Sequence, residues 1–420
     1  MLRANVPSSC SSRIVATARC VAVVLAATIT LIVASPAAGA DAGDLRESPP
    51  SQPPVEGRSV FQQKSCSGCH SIWGSPGGEP RVGPDLGRNG HWHDLMQFAG
   101  SLWNHTPKMI QKMRALKIEQ PSLSPDEMGK LAGYLLYVKF LGEPGNVERG
   151  REVFEQRSCA RCHQLHGRGG TAGPRLDELE GYASSFFMAQ ALWNHGPEMA
   201  AKMADLKLDR PRLEGDDVAH IVAFIRGEVQ TAVLQELAYA QAGSPLAGKA
   251  VFRERGCIKC HAIAGAGGTV GPDLGTPRAI RTVAETAREL WNHGPPMWAK
   301  MKDLGVAFPR LTDREMADLL AYLYFVQYTG TGGDAAKGGA LFRVKSCARC
   351  HAAGGEGPKV GPDLARAGTL RSPIYWASAM WNHAAAVEQK THETQIDWPQ
   401  FENDEMRDLV AFLQLRAGIK

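Results

Sequence analysis

Long apolar runs are almost missing from this chain of 420 residues. Beyond residue 40 none is long enough to cross a bilayer, so the mature protein is expected to be soluble. Sustained apolar–polar alternation is missing as well, and nothing argues for a sheet. The first forty positions hold no Asp or Glu, only Arg3, Arg13 and Arg19 among charged residues. Without that segment basic and acidic residues nearly balance, and no basic stripe points to nucleic acid. With 44% hydrophobic and 21% charged residues, a disordered or collagen-like chain is excluded.

The one apolar run that does occur, residues 21–34 (VAVVLAATITLIVA), follows Arg13 and Arg19 and precedes an A-x-A site, Ala38-Gly39-Ala40. This three-part pattern predicts a secretory signal over residues 1–40, with an uncleaved anchor as the alternative. Residues 41–54 (DAGDLRESPPSQPP) read as a Pro-rich linker. The expected location is the periplasm.

Of ten cysteines, Cys10 and Cys20 lie in the signal segment. The other eight form four Cys-x-x-Cys pairs, each followed at once by histidine: Cys66, Cys69 and His70; Cys159, Cys162 and His163; Cys257, Cys260 and His261; Cys347, Cys350 and His351. This is the haem c attachment signature, in which two thiols bond to the haem and the histidine ligates its iron. Zinc is the rival, but zinc ribbons set their cysteine pairs much closer together and need no histidine after each. Four haems c, and their iron, are the expected cofactors.

The motif recurs at a period of 90 to 98 residues, which suits a small domain and is too long for a solenoid repeat. Each copy has a Gly nine residues before its first Cys (Gly57, Gly150, Gly248, Gly338) and a Phe five before it (Phe61, Phe154, Phe252, Phe342). Each is followed by Gly-Pro-x-Leu from Gly83, Gly173, Gly271 or Gly361, then by Trp-Asn-His ending at His105, His195, His293 or His383. Helical spacing of apolar residues closes each copy, over 126–141, 216–225, 313–326 and 404–415. Capping boxes at Ser124/Glu127 and Thr312/Glu315 start two of these helices. The fold class is therefore all-α, with domains over 55–142, 145–238, 244–331 and 335–418. Residues 227–245 are read as an extra helix trailing the second.

Each unit resembles a class I c-type cytochrome domain, and together they cover nearly the whole mature chain. The resemblance implies an N-terminal helix that crosses the last helix at the Gly and buries the Phe near the haem. It implies that the carbonyls of Pro84, Pro174, Pro272 and Pro362 accept a hydrogen bond from the proximal histidines, fixing their tautomer. It also implies a sixth ligand, usually methionine, between Gly-Pro-x-Leu and the last helix. Met113, Met203 and Met301, each 30 residues after its Gly and each preceded by Lys, fit. Met109, Met199 and Met297, one turn earlier, read as core residues. The Trp-Asn-His histidines are the rival ligands; otherwise that Trp packs beside the haem, while Asn and His cap a helix end or bond a propionate.

The fourth unit breaks the pattern. Thr391 stands where the ligand methionine is expected and Val387 where its neighbour is. His392 is the nearest replacement, His383 the second, and an open iron the third; imidazole in place of thioether lowers the potential. His91 and His93 read as surface loop residues, and His166 and His220 have no assigned partner.

The function implied is electron transfer through four haems, with redox proteins such as a respiratory complex, dehydrogenase or oxidase as partners. Membrane contact would come only through those partners or an uncleaved signal. A haem enzyme or small-ligand sensor with an open fourth iron is the alternative, and a subunit docked on a redox complex a third possibility.

Overall fold

The computed structural model describes residues 54–74, 82–88, 92, 94–178, 184–228, 242–276, 282–327, 332–366 and 368–419. The expected signal segment, all but the last residue of the linker, His91, His93 and most of the extra helix over 227–245 lie outside them.

Each unit contributes three helices in the same order. In unit one these are α1 (Pro54–Gln63), α2 (Leu95–Ala115) and α3 (Pro125–Leu141). Unit two has α4 (Val147–Gln156), α5 (Ser185–Asp205) and α6 (Asp217–Glu228). Unit three has α7 (Pro245–Glu254), α8 (Val283–Asp303) and α9 (Asp313–Phe325), and unit four α10 (Ala335–Val344), α11 (Pro373–Glu393) and α12 (Glu405–Arg416). The only strands among the described residues are two-residue hairpin arms, Gln164–Leu165 with Arg168–Gly169 and Ala262–Ile263 with Ala266–Gly267. The all-α expectation holds.

Within a unit the first and last helices cross, and the repeated glycine is the reason they can. A Cβ on Gly57, Gly150, Gly248 or Gly338 would overlap the carbonyl oxygen of Lys130, His220, Asp318 or Asp408 on the opposite helix. One turn further on, Phe61, Phe154, Phe252 and Phe342 meet Tyr134, Phe224, Tyr322 and Phe412 at ring separations of 5.8, 5.7, 5.9 and 5.6 Å. Both expected capping boxes form, and Thr282 and Glu285 make a third at the start of α8.

The units pair, and not in chain order. The middle helix of unit two packs on that of unit three (α5 on α8), and that of unit one on that of unit four (α2 on α11). Two hydrophobic cores result, one shared by units two and three and the other by units one and four. Helix α3 joins them: its Tyr137 and Phe140 enter the core of units two and three. Phe140 stacks on Tyr324 at 4.4 Å and meets Phe186 edge-on at 5.6 Å, while the Tyr324 hydroxyl donates to Leu136 O at 2.8 Å. Among the described residues no helix is long and apolar enough to cross a membrane.

Candidate functional site

Each Cys-x-x-Cys-His begins after a residue of positive φ: Ser65, Ser158, Gly256 and Ser346 turn the chain out of the first helix into a single 3-10 turn that carries the first cysteine. That turn brings the histidine back against the glycine of Gly-Pro. A Cβ on Gly83, Gly173, Gly271 or Gly361 would overlap the ring of His70, His163, His261 or His351. The next residue fixes the ring: Nδ1 of the four histidines donates to the carbonyls of Pro84, Pro174, Pro272 and Pro362 at 2.9, 3.0, 3.0 and 2.9 Å. Nε2 is left as the basic nitrogen that an iron would take, and the bond at Nδ1 raises its basicity.

All eight cysteines of these motifs are free of disulfides. Burial pushes the thiols of Cys66, Cys257 and Cys347 up to about 11 and that of Cys159 up to about 12, so these thiols are protonated at neutral pH. Two reduced thiols and an oriented imidazole in each unit are the donor set that one covalently attached haem requires.

A second brace was not foreseen. Asp85, Asp273 and Asp363, the third residue of Gly-Pro-Asp-Leu, tie the loop after each haem motif. Asp85 accepts from the backbone N–H of Trp73 and Gly87 at 2.9 and 2.8 Å, Asp273 from Ala264 and Gly275 at 3.0 and 2.8 Å, and Asp363 from Gly354 and Ala365 at 2.9 and 3.1 Å. Against the opposing pull of burial, such N–H groups hold all three carboxyls below their usual range. Unit two reads Gly-Pro-Arg-Leu-Asp, and there Asp177 takes the His166 N–H at 3.0 Å and pairs with Arg175 at 2.8 Å. Arg175 holds that carboxyl at about 2. His220, also without an assigned partner, accepts the Asn146 N–H at 3.0 Å.

The middle helices carry the expected distal residues. Met113, Met203 and Met301 lie in the last turns of α2, α5 and α8, half-buried against the cores, as do Met109, Met199 and Met297 one turn earlier. In α11, Val387 packs on the core and the Thr391 hydroxyl donates to Glu388 O at 2.9 Å, while His392 is exposed.

Trp and Asn of Trp-Asn-His bind the partner unit, and the expectation that the Asn caps its own helix end or bonds a propionate is corrected. The indole N–H groups of Trp103, Trp193, Trp291 and Trp381 donate to the carbonyls of Pro399, Pro309, Pro211 and Pro121 at 2.8, 2.8, 2.8 and 2.7 Å. The next residue makes a two-way amide bond with the backbone ahead of the partner's last helix. Asn194, for example, donates to Leu311 O at 2.7 Å and accepts from Leu311 N at 3.0 Å. Asn104, Asn292 and Asn382 do the same with Phe401, Leu213 and Leu123. An acceptor and donor on an irregular segment next to a helix start need a partner when covered, and a carboxamide supplies both. Each unit grips the unit that grips it, which is the reciprocal geometry of a two-fold interface within one chain.

Prolines inside the helices help. Pro107, Pro197 and Pro295 lack the N–H that would bind the carbonyl of the Trp four residues before. Trp103 O instead accepts from the Trp398 indole at 3.2 Å, and Trp291 O from Arg210 at 2.6 Å. Helix α11 has Ala385 at that position.

The histidines of Trp-Asn-His differ among the units. His105 Nδ1 donates to Ser101 O at 2.7 Å, His195 pairs with Glu198 at 3.2 Å and His293 with Glu289 at 2.9 Å. His383 has Ala379 and Ala386 at the matching helix positions, and its ring faces the proximal His351 at a centroid separation of 6.4 Å and an angle of 64°. Burial, reinforced by this neighbour, pushes the His351 pKa down.

No curated protein and no solved structure matches the chain. The model of one family does, four times over, across residues 54–139, 147–227, 246–326 and 335–416; that family is described as cytochrome c. These matches run over most of the sequence and coincide with the four three-helix units. The chain thus belongs to the cytochrome c family, as a tandem array of four domains with one covalently bound haem c in each.

Proposed function

We propose that this protein is an exported, periplasmic relay that passes single electrons through its four haems between redox protein partners. The coarser part of this reading, multihaem electron transfer, follows from the family itself. The observation that carries the rest is the repeated proximal site: two thiols, an imidazole tied at Nδ1 to a proline carbonyl, and a distal helix packed over the core in every unit. Haem supplies the one-electron couple when bound. The chain supplies ligand orientation through the Pro carbonyls, and methionine sulfur as sixth ligand from Met113, Met203 and Met301. A thioether opposite an imidazole favours the reduced state. Reciprocal pairing of units two with three and one with four fixes the sites relative to each other, as a relay needs. The nearly balanced charge leaves partner choice to local patches, with a respiratory complex, dehydrogenase or oxidase as the partner class. The Arg-then-apolar segment before residue 40 supports export.

Spectroelectrochemical titration of the holoprotein tests this reading. Four one-electron equivalents per chain are expected, with a far-red sulfur-to-iron charge-transfer band of three haems' intensity in the ferric form. Carbon monoxide binding to one ferrous haem in four would favour instead a haem enzyme or ligand sensor open at the fourth iron. That reading draws on Thr391, whose hydroxyl is turned to its own helix.

A further inference from the structure

The fourth site is where the units stop being copies, and its sixth ligand can be argued from three independent features. First, α11 has no sulfur at either methionine position of the other units, since Val387 and Thr391 replace both, and its one methionine, Met380, precedes Trp381 and packs on the core. Second, the histidine of Trp-Asn-His is released in this unit alone. Its counterparts bond Ser101 O, Glu198 and Glu289; around His383 alanines remove the carboxylates, and its ring makes no bond to the Ala379 carbonyl that matches Ser101 O. Neither ring nitrogen of His383 is engaged by a protein group among the described residues. Helix α11 also lacks the interior proline that the other three carry two residues after this histidine. Third, the distance is right. An imidazole nitrogen binds a first-row metal at about 2 Å and lies roughly 1 Å from its own ring centre, so two imidazoles on opposite sides of one metal have centroids about 6 Å apart. His351 and His383 stand at 6.4 Å. Among the described residues no other histidine pair is in ring contact.

We propose that His383 is the sixth ligand of the fourth haem iron, so that this haem is held between two imidazoles while the other three are held between imidazole and thioether. His392, one residue from the vacated methionine position, is exposed as His383 is, but the ring contact with His351 belongs to His383. Imidazole in place of thioether makes the fourth haem the one of lowest potential, hardest to reduce and first to give up its electron. The inference rests on the four-haem reading above and adds to it a defined low end.

Near-infrared magnetic circular dichroism of the ferric holoprotein tests it, because imidazole–imidazole and imidazole–thioether haems absorb at different energies. An imidazole–imidazole band of one haem's intensity is expected in the unaltered chain. It should vanish in His383→Ala, return when imidazole is added to that variant, and be unchanged in His392→Ala. A band that survives His383→Ala, a band that His392→Ala abolishes, or a high-spin fourth haem in the unaltered chain would overturn the proposal. The sulfur bands of the other three haems are read in the same spectrum. Their absence, with the His383-dependent band present, would count against the methionine set of the relay and leave His383 in place.

Discussion

Units two and three form an inner pair and units one and four an outer pair, and the two are fastened alike but equipped differently. Both use the same reciprocal Trp–Pro and Asn–backbone bonds. In both, the residue before the gripped proline completes the contact. Phe308 stacks on Trp193 at 5.0 Å and Arg210 lies over Trp291 at 3.6 Å; in the outer pair Trp398 stacks on Trp103 at 4.1 Å and Gln120 donates to Trp381 O at 2.8 Å. Yet the inner pair carries a full set of distal methionines and the outer pair only half. The lesson is that Trp and Asn, which fasten the pairs, are the same in all four middle helices, while the positions six and ten residues after the Trp differ in the fourth.

The largest expected effect comes from pulling one Trp. Trp193, 6% exposed, and Trp103, 8% exposed, each lose a packed indole on replacement by Ala, at a cost of about 3–5 kcal/mol. Hydrogen exchange resolved by segment should show Trp193→Ala deprotecting units two and three, and Trp103→Ala units one and four. Deprotection spread evenly over all four would mean that the pairs are not separate modules. Next in size is the amide bond. Asn194→Ala strands a buried N–H and C=O of Leu311 and should lower stability by about 1–3 kcal/mol. Asn382→Ala should cost less, since Asn382 is exposed and water can replace it; equal shifts in denaturation midpoint would contradict this ranking.

A smaller change probes the joint between the pairs. Tyr324→Phe removes the donor to Leu136 O but keeps the stacking on Phe140, for a loss of about 1 kcal/mol. If the joint couples the pairs, their unfolding transitions separate further in this variant; unchanged cooperativity would show that stacking alone joins them. The smallest effect is set by pH. The Asp177 carboxyl ionises at about 2 when folded, below its ordinary 3.8. Its pairing with Arg175 therefore stabilises fully above that ordinary value and fades as pH falls towards about 2. Asp177→Asn should lower the unfolding midpoint of unit two at pH 7, and the gap to the unaltered protein should close in acid. A gap that persists below pH 2 would assign the effect to shape instead of charge.

What could be read from the sequence was whatever repeats inside one unit. The helix-crossing glycines, the buried Phe residues, the cysteine pairs and the Pro carbonyl braces all act within one unit, so four copies made each visible. The Trp-Asn clamp was misjudged because its partner is far away: Asn104 and Phe401 are separated by 297 positions. A signal was nevertheless present in Pro121-Ser-Leu123, Pro211-Arg-Leu213, Pro309-Arg-Leu311 and Pro399-Gln-Phe401, a fourfold repeat ahead of each last helix. The aspartates after Gly-Pro were hidden by the shifted spacing of Asp177. Ligation of the fourth haem was open because Thr391 at a methionine position says what is missing and not what replaces it.

The pairing is nested like brackets, one with four around two with three, and synthesis runs from one end. A chain that emerges N-terminus first completes its inner bracket as soon as unit three is out. Unit one, made earliest, waits longest: the face of α2 around Trp103 stays without its mate until the last unit has been made. A chain cut short after unit three would keep a closed inner pair and a permanently open first unit. Its exposed tryptophan face would give cellular quality control a direct report that the fourth haem domain is absent.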